Sequence, residues 1–235
     1  MTPSSLILCL GILASQGSSP RPNGDLLPEE GAFAGIFHWK SHIALSEMLL
    51  PDDRERKSAV VVLPSFEAEW AVFVTAGPTG RQVVLRALRK PLSAESAKVP
   101  SKDPNVMWIP VPGTVDPKGV ATAAKHVAQT SAPLSDETAR KLELAWQAAL
   151  ARVRYTEEMQ RALAGADGTS YHFSQCGQQG CFTGRTWSPE GGSIAHGIVE
   201  VAEAMRSYVV ARGVGKESAL LAKIEVLMGM IRSRE

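Results

Sequence analysis

Glu67-Ala-Glu-Trp-Ala-Val-Phe-Val-Thr-Ala-Gly-Pro-Thr-Gly-Arg-Gln-Val-Val-Leu-Arg-Ala-Leu88 decides the fold class. From Glu67 to Ala76 the side chains alternate. Trp70, Val72 and Val74 fall on one side and Ala71, Phe73 and Thr75 on the other, the period of two that a pleated strand imposes. Gly77-Pro-Thr-Gly80 is a turn, because proline presets φ and glycine accepts the positive values of tight turns. Arg81 to Leu88 alternates again through Val83 and Leu85. Upstream, Ala59-Val-Val-Val-Leu63 is a short β-branched run of the kind buried on both faces. These segments predict an antiparallel meander from about Ala59 to Leu88.

The C-terminal half changes period. Ser135 can cap a helix whose first turn carries Asp136 and Glu137, which suits the macrodipole. Leu142, Trp146, Ala149, Leu150 and Val153 then recur at helical spacing, to about Tyr155. Asp167-Gly168 is a turn. Tyr171-His-Phe173 and Phe182 to Trp187 form two strands flanking Cys176 and Cys181. Ser193 can cap the next helix, with Ile194, Ile198, Val201, Ala202, Met205 and Val209 inward. Gly213 and Gly215 separate it from a last helix with Leu220, Ile224, Leu227, Met228 and Ile231 inward.

Between the halves, residues 90–118 are proline-rich and not expected to be regular, with Val106-Met-Trp-Ile109 as an apolar island that pins the excursion. Thr122 to Leu134 reads as a further strand, with helix left open by its alanines. Gly31 to Leu50 reads as a short strand and a helical turn. The expected fold is α+β, an antiparallel β-sheet (meander plus C-terminal hairpin) packed against about three α-helices. Segregated elements exclude Rossmann and TIM arrangements.

Composition narrows the function class. The 235 residues are 44% hydrophobic and 21% charged, an ordinary globular balance. With 25 Lys and Arg against 24 Asp and Glu, the net charge of +1 gathers neither nucleic acid nor an anionic membrane surface. Leu6 to Ala14 is an apolar run of about nine residues, suited to a signal-peptide core and too short to cross about 30 Å of hydrocarbon. Small residues follow it. The expected organisation is a signal peptide over 1–19, a flexible mature N-terminus over 20–30 and a single α+β domain over 31–235. That places the chain in the periplasm or outside the cell, with no transmembrane span after leader removal. Met1 to Ser5 lacks the Lys or Arg of a usual leader, so a buried N-terminal strand or helix is the rival reading. Cys9 raises a lipid anchor as a lesser one.

After leader removal Cys176 and Cys181 remain, an even number at close spacing that predicts a disulfide. Zinc held by His172, Cys176, Cys181 and His196 is the alternative, at a spacing unlike common fingers and ribbons. If Cys176 faces Cys181 across a hairpin with a four-residue Gly177-Gln-Gln-Gly180 loop, Ser174 faces Thr183, His172 faces Arg185 and Ser170 faces Trp187. His172, Ser174, Thr183, Arg185 and Trp187 then make one candidate binding face for an anionic or carbohydrate ligand, with Trp187 stacking and Arg185 donating. The competing reading is a strand face covered by a helix or left in water. Tyr171, Phe173, Phe182, Gly184 and Thr186 point into the core.

Other constellations are weaker. His38 and His42 sit four apart but lack a glutamate directly after the first. Glu67 and Glu69, on one strand face roughly 7 Å apart, read as a solvated edge rather than a glycosidase pair. Gly77 to Gly80 lacks the Gly-Lys-Ser/Thr ending of a phosphate loop. No Gly-x-Ser-x-Gly elbow occurs, and Ser193 with His196 marks a helix start. No catalytic residue, metal ligand set or cofactor is nominated.

Ala132-Pro-Leu-Ser135, Leu144 to Tyr155, Asp167-Gly-Thr-Ser-Tyr-His-Phe173 and Gly184-Arg-Thr-Trp-Ser-Pro189 resemble a group of uncharacterised exported bacterial proteins. The resemblance covers the C-terminal half and implies export but no activity. By elimination the expected function is a non-enzymatic exported binding protein with a protein partner, an inhibitor or immunity-type protein against a cell-envelope-targeting enzyme. The alternatives are a small hydrolase using the His172/Arg185 face and a structural subunit of an envelope complex.

Overall fold

A computed structural model of the chain describes residues 26, 45, 48–50, 57–65, 67–91, 124–153, 168–177, 180–213 and 215–234. The leader region, His38 and His42, and the proline-rich excursion from residue 92 with its island at Val106 to Ile109 lie outside the described residues. Strands β1 (Lys57–Pro64), β2 (Trp70–Gly77), β3 (Gly80–Leu88) and β4 (Val127–Leu134) form a meander, with a 3-10 turn at Ala124–His126 before β4. Helix α1 (Asp136–Leu150) leads to the hairpin β5 (Thr169–Gly177) and β6 (Gly180–Trp187). Helices α2 (Ile194–Val210) and α3 (Glu217–Arg232) follow.

The six strands make one antiparallel sheet in the order β4-β3-β2-β1-β5-β6. β1 therefore lies inside the sheet, which is why its β-branched run from Ala59 to Val62 is buried on both faces. The hairpin docks on the free side of β1, with Val60 opposite Phe173 and Val62 opposite Tyr171. These side chains, with Val72, Val74, Val83 and Leu134, form one core with the inner faces of the three helices. The opposite face carries Ala59, Val61, Ala71, Phe73 and Val84, over which Leu45, Leu49 and Leu50 pack.

The caps fall where the hydroxyls predict. Ser135 accepts from the Thr138 amide and Ser193 from the His196 amide. Ser193 also donates to the Glu190 carbonyl at 2.7 Å, so its hydroxyl is committed to the helix start. Helix α1 is shorter than its apolar spacing suggests, ending at Leu150 with Val153 half-buried beyond it. Glu67 and Glu69 do not share a strand face, since β2 begins only at Trp70.

Helix α2 ends in a Schellman arrangement: the Gly213 amide donates to the Tyr208 carbonyl and the Arg212 amide to the Val209 carbonyl. The left-handed position in that motif belongs to Arg212, at φ 54°, where glycine carries no Cβ penalty. Arg212→Gly is expected to stabilise the fold by about 0.5–1 kcal/mol, read as a higher urea midpoint at unchanged m-value. An unchanged or lower midpoint would contradict this reading of the helix end.

Candidate functional site

The β5–β6 register follows from the cysteine pair. Cys176 lies opposite Cys181, Ser174 opposite Thr183, His172 opposite Arg185 and Ser170 opposite Trp187. The cysteines form a disulfide with Cα atoms 4.0 Å apart, and both sulfurs are thereby unavailable as zinc thiolates. Gly177 pairs with Gly180, so the strands run one residue further on each side than a four-residue loop implies. Gly180 accommodates the return with φ 115°.

His172, Ser174, Thr183, Arg185 and Trp187 share the face away from the three helices, and each is half-buried rather than open. Across β1, His172 neighbours Val61 and Ser174 neighbours Ala59, so the polar set continues into a buried apolar surface. Trp187 has a further duty. A Cβ on Gly168 would lie 2.4 Å from its ring, so the indole rests on the glycine backbone.

The other face of the hairpin brings a correction. Phe173 is buried as expected, but Phe182 is 49% exposed. On this outermost strand the core closes over Gly184 and Thr186, and the ring beside the disulfide extends past that cover. The disulfide-bridged part of the hairpin thus carries an aromatic side chain into solvent.

A polar cleft of about 430 Å³, which no sequence motif marks, opens at the other end of β5. Its lining includes Pro64, Glu67, Thr169, Tyr171, Glu203 and Arg206. The Arg206 guanidinium lies 4.8 Å from the Trp70 ring centroid, and its Nη1 is 3.7 Å from a Glu203 carboxylate oxygen. Burial pushes the Glu203 carboxyl up from its ordinary range, Arg206 opposes this, and Glu67 and Glu200 add to the rise. Burial also raises the Tyr171 phenol, with Glu203 reinforcing it. The signal that was available is the Glu203-x-x-Arg206 spacing beside the apolar face of α2.

A second recess, lined by Pro133, Ser135, Tyr208, Arg212 and Glu217, is built into the fold. The Tyr208 hydroxyl donates to the Pro133 carbonyl. The Glu217 carboxylate accepts from the hydroxyls of Ser135 and Thr138, tying the start of α3 to the cap of α1. Burial alone would raise the Glu217 carboxyl, but these hydrogen bonds outweigh it and hold it below its ordinary range. A depressed carboxylate gives stability that is present above its unfolded pKa and lost as pH falls through the folded one. Glu217→Gln is therefore expected to cost about 1 kcal/mol at neutral pH and to flatten the acid limb of a stability–pH curve. An acid limb as steep as the parent's would contradict the assignment.

Comparison with protein-family models, with curated proteins and with solved structures finds no match.

Proposed function

We propose that the chain is an exported, non-enzymatic binding protein whose disulfide-clamped β5–β6 hairpin engages a protein partner. The role that fits is an inhibitor or immunity-type protein acting on a cell-envelope-targeting enzyme. The observation that carries the reading is Phe182, an aromatic ring 49% exposed beside the Cys176–Cys181 disulfide on the outermost strand. Aromatic side chains are favoured anchors at protein interfaces, and a cross-linked backbone beneath one reduces the ordering needed on docking. The apolar leader-like run and the cysteine pair both fit an oxidising compartment. The face bearing His172 and Arg185 is half-buried and supports a framing role rather than an open ligand platform.

The test is inhibition of purified envelope-degrading enzymes, such as muramidases, amidases and phospholipases, by the oxidised protein. Inhibition of one class, weakened at least about tenfold by Phe182→Asp with the fold intact, is the expected result. Turnover of an envelope substrate by the wild-type protein alone would overturn it. So would inhibition indifferent to both Phe182→Asp and a joint His172 and Arg185 substitution.

A further inference from the structure

We infer that the outer edge of β6 pairs with the same edge of a second copy, antiparallel about a two-fold axis at Thr183, with each Phe182 ring laid over Gly184 of the other copy. This concerns the free chain and does not rest on the proposed partner, although both use Phe182.

Among the described residues β6 ends the sheet and pairs on one side only, with β5. The phase of the ladder fixes which of its backbone groups turn outward. The Ser188 amide donates to the Thr169 carbonyl, so Thr169 and Ser188 are hydrogen-bonded partners. By alternation Phe182 with Gln175 and Gly184 with Phe173 are hydrogen-bonded too, whereas Cys181 with Cys176 and Thr183 with Ser174 are not. The 4.0 Å between the cysteine Cα atoms agrees, because non-hydrogen-bonded partners lie closer. The N–H and C=O of Cys181 and Thr183 therefore point away from β5.

Such an edge is a template for another strand, and proteins block it with proline, lysine or a bulge. The opposite edge, β4, carries Pro133. From Gly180 to Gly184 β6 carries none of these, and it pairs with β5 without a register shift.

A second copy is the occupant because the strand complements itself. Two-fold symmetry requires each contact to occur twice. Centring on Thr183 sets Thr183 against Thr183 and Cys181 against Arg185 as hydrogen-bonded pairs. Phe182 then falls beside Gly184 in a non-hydrogen-bonded pair, where side chains approach most closely. A ring laid over a cross-strand glycine is a stabilising match, and it covers a side chain that is 49% exposed in the single chain. A centre at Gly184 opposes the two glycines instead, and one at Arg185 opposes like charges. A centre at Phe182 shortens the paired stretch and sets Gly184 against Gly180. With a net charge of +1, the copies scarcely repel.

Two paired edge strands bury less than the roughly 1,200 Å² of a stable interface, so the dimer is weak, with a dissociation constant on the order of 100 µM. A partner that holds Phe182 more tightly displaces the second copy.

The experiment is sedimentation equilibrium of the full oxidised chain from roughly 10 µM to 1 mM, joined to NMR on mixed isotope-labelled and unlabelled chains. A monomer–dimer equilibrium is expected, with intermolecular contacts between Phe182 ring protons and the Gly184 α-protons. Thr183→Pro removes only an outward amide, which an edge strand tolerates, and should weaken the dimer at least about tenfold. Phe182→Ser should do the same without touching the ladder. Val226→Ser, at an apolar side chain 59% exposed on α3, leaves the dimer unchanged. No enzyme is present in any arm, so the outcome is read independently of inhibition. A chain monomeric to about 1 mM would overturn the proposal. So would a dimer indifferent to Phe182→Ser, one lost on Val226→Ser, or one in which Phe182 meets Phe182.

Discussion

Trp146→Ala is expected to destabilise the protein by about 4 kcal/mol, the upper range for removing a large aromatic from a packed interior. Trp146 is fully buried on α1 and meets Phe173 of β5 edge to face, with ring centroids 5.5 Å apart at 72°. Phe173 in turn stacks on Tyr171 and lies opposite Val60 of β1. The indole therefore couples the helical layer to the strand that joins hairpin and meander. Its Nε1–H is buried without a hydrogen-bond partner among the described residues, so the ring contributes through packing alone. Trp146→Phe should consequently cost far less, about 1–2 kcal/mol, because it removes volume and an unsatisfied donor together. Urea unfolding of both variants checks this. A loss below about 1 kcal/mol for the alanine variant would mean that α1 does not seat over β5.

Gly168→Ala carries the second large effect, about 3 kcal/mol. Gly168 has φ 157° and a Cβ there would meet Trp187 ring atoms at 2.4 and 2.5 Å. Backbone strain and overpacking thus act at one position, each worth about 1–3 kcal/mol. The glycine is also fixed by Ser65, whose hydroxyl donates to its carbonyl at 2.7 Å and accepts from its amide at 3.0 Å. The strand pairing of Ser170 with Trp187 holds the backbone that carries the indole beside Gly168. Trp187→Leu in the alanine background should recover part of the loss, a non-additivity that separates the ring contact from backbone strain. A melting temperature for Gly168→Ala within about 2 °C of the parent's would contradict the packing.

Much of the fold was legible because local rules and the global arrangement agree. The meander announces itself through the alternation in β2 and β3 and the Pro78-Thr79 return, and the sheet pairs Gly77 with Gly80 there. One assumption, that Cys176 faces Cys181, fixes every cross-strand pair of the hairpin. Ser135 and Ser193 mark two helix starts by the same hydrogen bond.

What stayed hidden depends on distance in the chain or on where the cover stops. Alternation states which way Phe182 points, not how far the core reaches along an outer strand. Trp187 reads as a free stacking platform until Gly168, far back along the chain, is seen beneath it. Glu67 looks paired with Glu69 in the sequence, yet it lines a cleft with Glu203, because the chain bends before β2 while α2 lies over the sheet. No short-range pattern joins residues so far apart.

An oxidised Cys176–Cys181 clamp joins the two strands of the hairpin beside Phe182. Its most direct test is alkylation of unreduced protein recovered from cells, followed by peptide mapping. Cys176 and Cys181 are expected unalkylated and linked to each other, in protein collected outside the cytoplasm. Both cysteines recovered as alkylated thiols would contradict it.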